Sequence, residues 1–199
     1  MLKIGVTGGI GAGKSVICRV FSVLGVPVYN ADMRARRIMD EDMILHRELK
    51  KAFGQGIFSE SKPDRKLLAG IVFNDPDALE RLNAIVHPAV KRDFIRWTGQ
   101  QSESPYIVKE AAILFETGTY KELDTVILVT APEDIRIRRV AERDGETQET
   151  ARNRMASQWP DDRKSALAGI ILRNDNSEPL LPVILELHEK FSSGSIAGI

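Results

Sequence analysis

Eight consecutive residues, Gly8-Gly9-Ile10-Gly11-Ala12-Gly13-Lys14-Ser15, satisfy the pattern G-x-x-x-x-G-K-[ST]. Glycines let the backbone turn there without side-chain clashes, so that successive N–H groups point inward at an anion, and a following helix adds its positive end. Lys14 would reach the β- and γ-phosphates of ATP, and Ser15 would ligate Mg2+. The expected nucleotide contacts are therefore Gly8, Gly9, Gly11, Ala12, Gly13, Lys14, Ser15 and Val16. A glycine-rich turn could match the pattern by chance, but this one lies between a strand pattern and a helix pattern, where the motif has physical meaning. The cradle fixes the phosphate donor and leaves the acceptor open, because kinases, GTPases and ATPase motors share it.

Three other groups of residues carry chemistry. Asp32 follows the second expected strand, and in a parallel sheet that end faces the same crevice as a phosphate loop. Its carboxylate could take the proton of an attacking hydroxyl or orient it; it could equally cap a helix starting at Met33, and the two roles are compatible. Between Arg136 and Arg154 stand six arginines and four carboxylates, with Arg139 and Arg143 spaced to share a helical face. Planar guanidinium groups suit the charge that spreads over the equatorial oxygens in phosphoryl transfer, while some of the six would simply pair with Glu142, Asp144 and Glu149. His87, ahead of Pro88, could contact an acceptor phosphate or bind a carbonyl freed by the proline. Cys18, the lone cysteine, reads as packing on the first helix.

The elements that must position these groups alternate strand and helix, which argues for an α/β fold with a parallel sheet and crossover helices. Leu2 to Thr7, Val26 to Tyr29, Pro105 to Val108, Thr125 to Val129 and Gly169 to Leu172 read as strands. Val16, Ile17, Val20, Phe21 and Leu24 recur on one helical face, and Gly25 with Pro27 ends that helix. Residues 33–100 read mostly as helix, an insertion between the second and third strands. Within it Asp75 and Pro76 open a helix with an apolar stripe of Leu79, Leu82, Val86, Val90, Phe94 and Trp97, which Pro88 should kink or break. Pro132 opens a further helix, Leu180 to Phe191 a closing one, and a loose tail begins at Ser192.

Composition narrows the partners. The 199 residues, 43% of them hydrophobic, suffice for one domain with an inserted subdomain. Lys plus Arg and Asp plus Glu number 28 each, so no global field favours nucleic acid or an acidic membrane. With one cysteine, no internal disulfide framework can form, which fits a reducing compartment and a cytoplasmic location. No apolar run reaches membrane-spanning length.

Several segments together resemble the dephospho-coenzyme A kinase family. Gly5 to Ser15, with Thr7 before the loop, is similar to that family's phosphate loop; Asp64 to Phe73 resembles its helical substrate segment, and Ile85 to Val90 its His-Pro motif. Leu114-Phe115-Glu116, Arg143-Asp144-Gly145 and Met155-Ala156-Ser157-Gln158 resemble its Leu-Phe-Glu and lid segments, and Asn174 matches an asparagine placed near the adenine. The resemblance implies a P-loop core at 1–32 and 101–199 with a lid near 136–160, and a helical acceptor-binding insertion at 33–100. It implies ATP and Mg2+ as requirements and dephospho-coenzyme A as a small-molecule acceptor. Asp32 becomes a base or orienting carboxylate, Thr7 and Arg139 active-site contacts, and the His87 segment an acceptor-side surface. Three departures stand out: Asn30 where the family usually carries aspartate, Ala112 where it carries proline, and Gly169 where an aspartate is common.

The expected activity is transfer of the γ-phosphoryl group of ATP to the ribose 3′-hydroxyl of dephospho-coenzyme A, with Lys14, Asp32 and Arg139 catalytic, by a monomer or weak homo-oligomer. A kinase for another small hydroxyl acceptor is the nearest rival. A nucleotide-dependent switch is a second, disfavoured because no guanine-reading Asn-Lys-x-Asp pattern is present.

Overall fold

The computed structural model describes residues 1–73 and 75–196. Its chain forms two compact units, Met1–Asn30 with Gln101–Ile199, and Ala31–Gln100. The last residues of the expected tail, 197–199, lie outside the described ones.

The first unit is built on β1 (Leu2–Thr7), which runs into the glycine loop and then α1 (Lys14–Val23). Gly25, at φ +84°, turns the chain out of α1 and into β2 (Val28–Asn30). This strand starts two residues later than its apolar run suggests, because Pro27 has no N–H to give; its carbonyl still accepts from Val108. The helical unit intervenes with α2 (Ala31–Glu41), α3 (Met43–Phe53), a two-residue hairpin of β3 (Phe58–Ser59) and β4 (Lys62–Pro63), α4 (Arg65–Phe73) and α5 (Pro76–Gly99). The first unit then resumes with β5 (Tyr106–Glu110), β6 (Thr125–Thr130), α6 (Glu133–Asp144), α7 (Gln148–Ala156), α8 (Asp161–Ser165), β7 (Ile170–Arg173) and α9 (Leu180–Ser192).

The five-stranded sheet has the order β2-β5-β1-β6-β7, and every pairing is parallel. Residues 126–129 of β6 are all buried, as a strand covered on both faces must be. On one face, Ile4, Val6, Tyr106, Val108, Ile127 and Val129 meet Ile17, Cys18 and Phe21 of α1 and Ile184, Leu187 and Phe191 of α9. Val16, expected on that buried face, is instead 64% exposed, since Cys18 takes the inward place beside Ile17 and Phe21. The central β1 thus delivers the loop to the carboxyl edge of the sheet, the place where open α/β sheets bind ligands.

In the helical unit, Leu45, Leu49, Ile57, Leu68 and Ala89 form the core, with Ile38, Met39, Leu82, Ile85 and Val86 packed on it. Asp75 caps α5 by accepting from the N–H of Ala78 at 2.9 Å. The helix runs unbroken through Pro88, so of the kink or break expected there the break does not occur. An interior proline costs about 3 kcal/mol, and apolar burial on both sides of it offsets that cost. Leu79 lies off the buried stripe at 43% exposure, its place taken by Ala78.

Candidate active site

The loop after β1 is held from several sides. A Cβ on Gly8, whose φ is +151°, would lie 2.2 Å from the carbonyl oxygen of Val129 in β6. One on Gly13, at φ +99°, would lie 2.1 Å from Asn174 Nδ2. The backbone passes too close to both neighbours for any side chain, so packing by itself requires glycine at both positions. Asn174 uses that approach to donate from Nδ2 to the carbonyl of Ala12 at 2.8 Å, while its own carbonyl accepts from Arg139 Nη1 at 3.0 Å. Arg139 also reaches the carbonyl of Gly11 and, through Nη2, Asn176.

Ile10 is fixed at three points. Its N–H donates to Gln158 Oε1 at 2.8 Å, its carbonyl accepts from Arg136 Nε at 3.1 Å, and its side chain packs against the cluster of Ile137, Val140 and Ala151. Arg136 is only 12% exposed and pairs with Asp161 at 3.0 Å. Behind it, the fully buried Lys164 pairs with Glu116 at 3.1 Å, and Glu116 accepts from the N–H of Trp159. That Lys–Glu contact is close enough to be an ion pair but is not aligned as a hydrogen bond.

At the mouth of the loop, Lys14 Nζ donates to the carbonyls of Gly8 and Gly9 at 2.9 and 3.3 Å. Ser15 Oγ donates to Glu110 Oε1 at 2.7 Å, and Asn30 Nδ2 donates to the other oxygen of the same carboxylate at 2.7 Å. Glu110 ends β5 and is paired in register with Val6 of β1 and Asn30 of β2. It is a buried carboxylate, 6% exposed, and the sequence reading missed it by ending the strand at Val108. An anion closing a buried strand was the signal available. Burial, and then the Glu110 carboxylate, push the Cys18 thiol well above its ordinary range, so Cys18 stays a protonated packing residue. Thr7 is fully buried, and its Oγ1 has no hydrogen-bond partner. Among the expected nucleotide contacts, Ala12 is fully buried.

Two predicted residues belong to the helical unit. Asp32 is exposed, lies in the first turn of α2 and caps nothing, because the helix already begins at Ala31. Its negative charge at a helix N-terminus is favourable, and it takes part in none of the described hydrogen bonds. His87 is half-buried within α5, and burial lowers its pKa. No described hydrogen bond joins it to a carbonyl, so a role in satisfying the group freed by Pro88 is absent.

The six arginines divide. Arg136 and Arg139 reach the loop, whereas Arg143 pairs with Asp144, and Arg154 with Asp144 and Glu146. These guanidiniums hold the Asp144 carboxyl far below the usual range, led by Arg143.

Residues 2–179 match the family model for dephospho-CoA kinase. A dephospho-CoA kinase of Bacteroides fragilis is 38% identical over 94% of this chain and 91% of its own length. One from Porphyromonas gingivalis is 43% identical over 84% and 81%. Among solved structures, a Thermus thermophilus protein has a TM-score of 0.83 at 34% identity, covering 99% of this chain and 98% of its own. The dephospho-CoA kinase of Campylobacter jejuni has a TM-score of 0.71 at 27% identity, over 96% and 98%. A phosphate loop at the carboxyl edge of a parallel sheet, and a sequence match running nearly end to end, converge on one assignment: the chain belongs to the dephospho-CoA kinase family.

Proposed function

We propose that Lys14, Arg139 and Asp32 divide the work of phosphorylating the ribose 3′-hydroxyl of dephospho-coenzyme A with ATP. The overall reaction, the final step of coenzyme A formation, is that of the family. The observation that carries the residue assignment is the loop itself, with Lys14 Nζ resting on the carbonyls of Gly8 and Gly9 inside an already folded cradle. Lys14 gives up those carbonyls to meet the β- and γ-phosphates, and the loop N–H groups hold the anion without reorganising. Arg139, already at the loop's edge, neutralises charge on the transferred group. Asp32 accepts or orients the hydroxyl proton; its carboxylate is uncommitted to any cap. Thr7, His87 and Asn174 complete the proposal: the first as a hydroxyl at the end of β1, the second on the acceptor side, the third beside the adenine while its side chain holds the carbonyl of Ala12.

The oxygen donors of Ser15 and Glu110 fit Mg2+, a hard cation that keeps several waters and binds through few carboxylates. Among the described residues no group of three or more His, Cys, Asp or Glu side chains could hold a metal ion. When bound, Mg2+ supplies electrostatic neutralisation of the phosphates. Asn30, donating to Glu110, keeps that carboxylate turned toward Ser15; an aspartate at position 30 would set two carboxylates together. A cytoplasmic enzyme, monomeric or weakly associated, is part of the same proposal; no helix among the described residues is long and apolar enough to cross a membrane.

Lys14→Ala and Asp32→Ala are each expected to lower turnover by about 100-fold or more, the second with ATP affinity retained. Near-normal turnover in Asp32→Ala, read by coupled ADP release, removes Asp32 from the chemistry.

A further inference from the structure

In the helical unit, α2, α3 and α5 line a half-open pocket of 630 Å³ that contains none of the site residues named above. Its walls carry Arg34, Arg37, Arg92 and Arg96 against Glu41, Asp42 and Asp93. Each carboxylate is already engaged. Asp93, 6% exposed, takes Arg34 through both oxygens at 2.7 and 2.9 Å and Arg96 at 2.6 Å. Glu41 pairs with Arg37, and Asp42 accepts from the N–H groups of Ile44 and Leu45. One buried carboxylate therefore orients two guanidiniums, and the cations outnumber the anions by one, four against three. Arg92 makes none of the described ion pairs or hydrogen bonds, and Arg96, 73% exposed, spends only Nη2. An arginine offers five donors, so Arg92 and Arg96 retain capacity toward an incoming anion. The rest of the lining is apolar: Ile38 and Ala89, with Met43 and Ile44 at 68% and 54% exposure.

We infer that this pocket is a second anion site, one for a small phosphate ester with an apolar body. The guanidiniums take the phosphate and the Ile38, Ala89, Met43 and Ile44 surface takes the body. It is separate from the place of Asp32. At about 100° per residue, Arg34, Arg37, Ile38 and Glu41 fall about 200°, 140°, 240° and 180° around α2 from Asp32, on the opposite face of that helix. The inference does not rest on the kinase reading, and its test does not use catalysis.

Phenyl phosphate and inorganic phosphate are titrated by calorimetry into the full chain with its phosphate loop saturated by Mg·ADP. The expected result is one-to-one binding of phenyl phosphate, tighter than inorganic phosphate. Arg92→Ala and Arg37→Ala should each weaken it about tenfold with an unchanged melting temperature. Both residues are exposed and hold no buried group, so the variants should fold. Three outcomes overturn the site: no phenyl phosphate binding up to about 10 mM, binding indifferent to both arginines, or self-association of the chain that the same substitutions abolish. Equal affinity for the two probes overturns the apolar half.

Discussion

The arginine-rich segment has two halves that look alike in sequence and differ in what their charges do. Arg136 and Arg139 bond to backbone carbonyls of the phosphate loop, and Arg136 is almost buried in doing so. Arg143 and Arg154, 60% and 41% exposed, meet only carboxylates at the far end of α6. A guanidinium held against backbone in a low-dielectric setting both fixes that backbone and stays cationic beside it, whereas an exposed ion pair is screened and contributes little. Charge count alone therefore does not tell the two halves apart. The difference lies in how deeply each is tied into the loop.

The sharpest way to break this contrast is to remove the support behind the loop-side half. Lys164→Met leaves Glu116 uncompensated beneath the segment that carries Gln158, and should lower stability by about 3–5 kcal/mol in denaturant unfolding. Adding Glu116→Leu should recover much of that loss, since two apolar groups can replace a buried pair. A harmless single change would show that the pair supports nothing. Next in size, Arg139→Ala should lower kcat/KM by about 100-fold, because both the loop carbonyl contact and the nearby charge disappear.

The distal half should respond weakly. Arg154→Ala is expected to cost less than about 1 kcal/mol, to leave kcat/KM within about threefold, and to matter less still at high salt. A loss as large as that of Arg139→Ala would erase the distinction between the halves.

The smallest effect belongs to the helical unit. Burial lowers the His87 pKa, so the fold prefers the neutral ring and unfolding takes up a proton. Its contribution is complete above the ordinary imidazole range and is lost as pH falls through that range toward the lowered value. Melting temperatures between about pH 7.5 and pH 5.5 should decline less steeply in His87→Gln than in the parent chain. Identical slopes would show that His87 titrates as it does in the unfolded chain.

Where backbone geometry does the chemistry, the sequence was readable. Only glycine tolerates the positions at Gly8 and Gly13, so β1, the loop and α1 were legible within a residue or two. Where long-range pairing does it, local sequence carries little signal. Glu110 meets Ser15 and Asn30 only because β5 lies between β1 and β2, an order that no local pattern encodes. Arg136 escaped notice because helical spacing singled out Arg139 with Arg143, while the loop contact is 126 residues away in the chain. Of the kink or break expected at Pro88, the break is absent for a related reason: local backbone preference is outweighed by burial along both halves of α5. The departure at Gly169 has a steric counterpart, since a Cβ there would lie 2.3 Å from Thr125 Oγ1.

The most direct test of the central claim is ADP release from the purified protein with Mg·ATP, measured with and without dephospho-coenzyme A, together with mass spectrometry of the acceptor. The account predicts ADP release that depends on the acceptor, stoichiometric with coenzyme A phosphorylated at the ribose 3′-hydroxyl, and lost in Lys14→Ala. ADP release that is indifferent to dephospho-coenzyme A, or an acceptor of unchanged mass despite bound ATP, would contradict it.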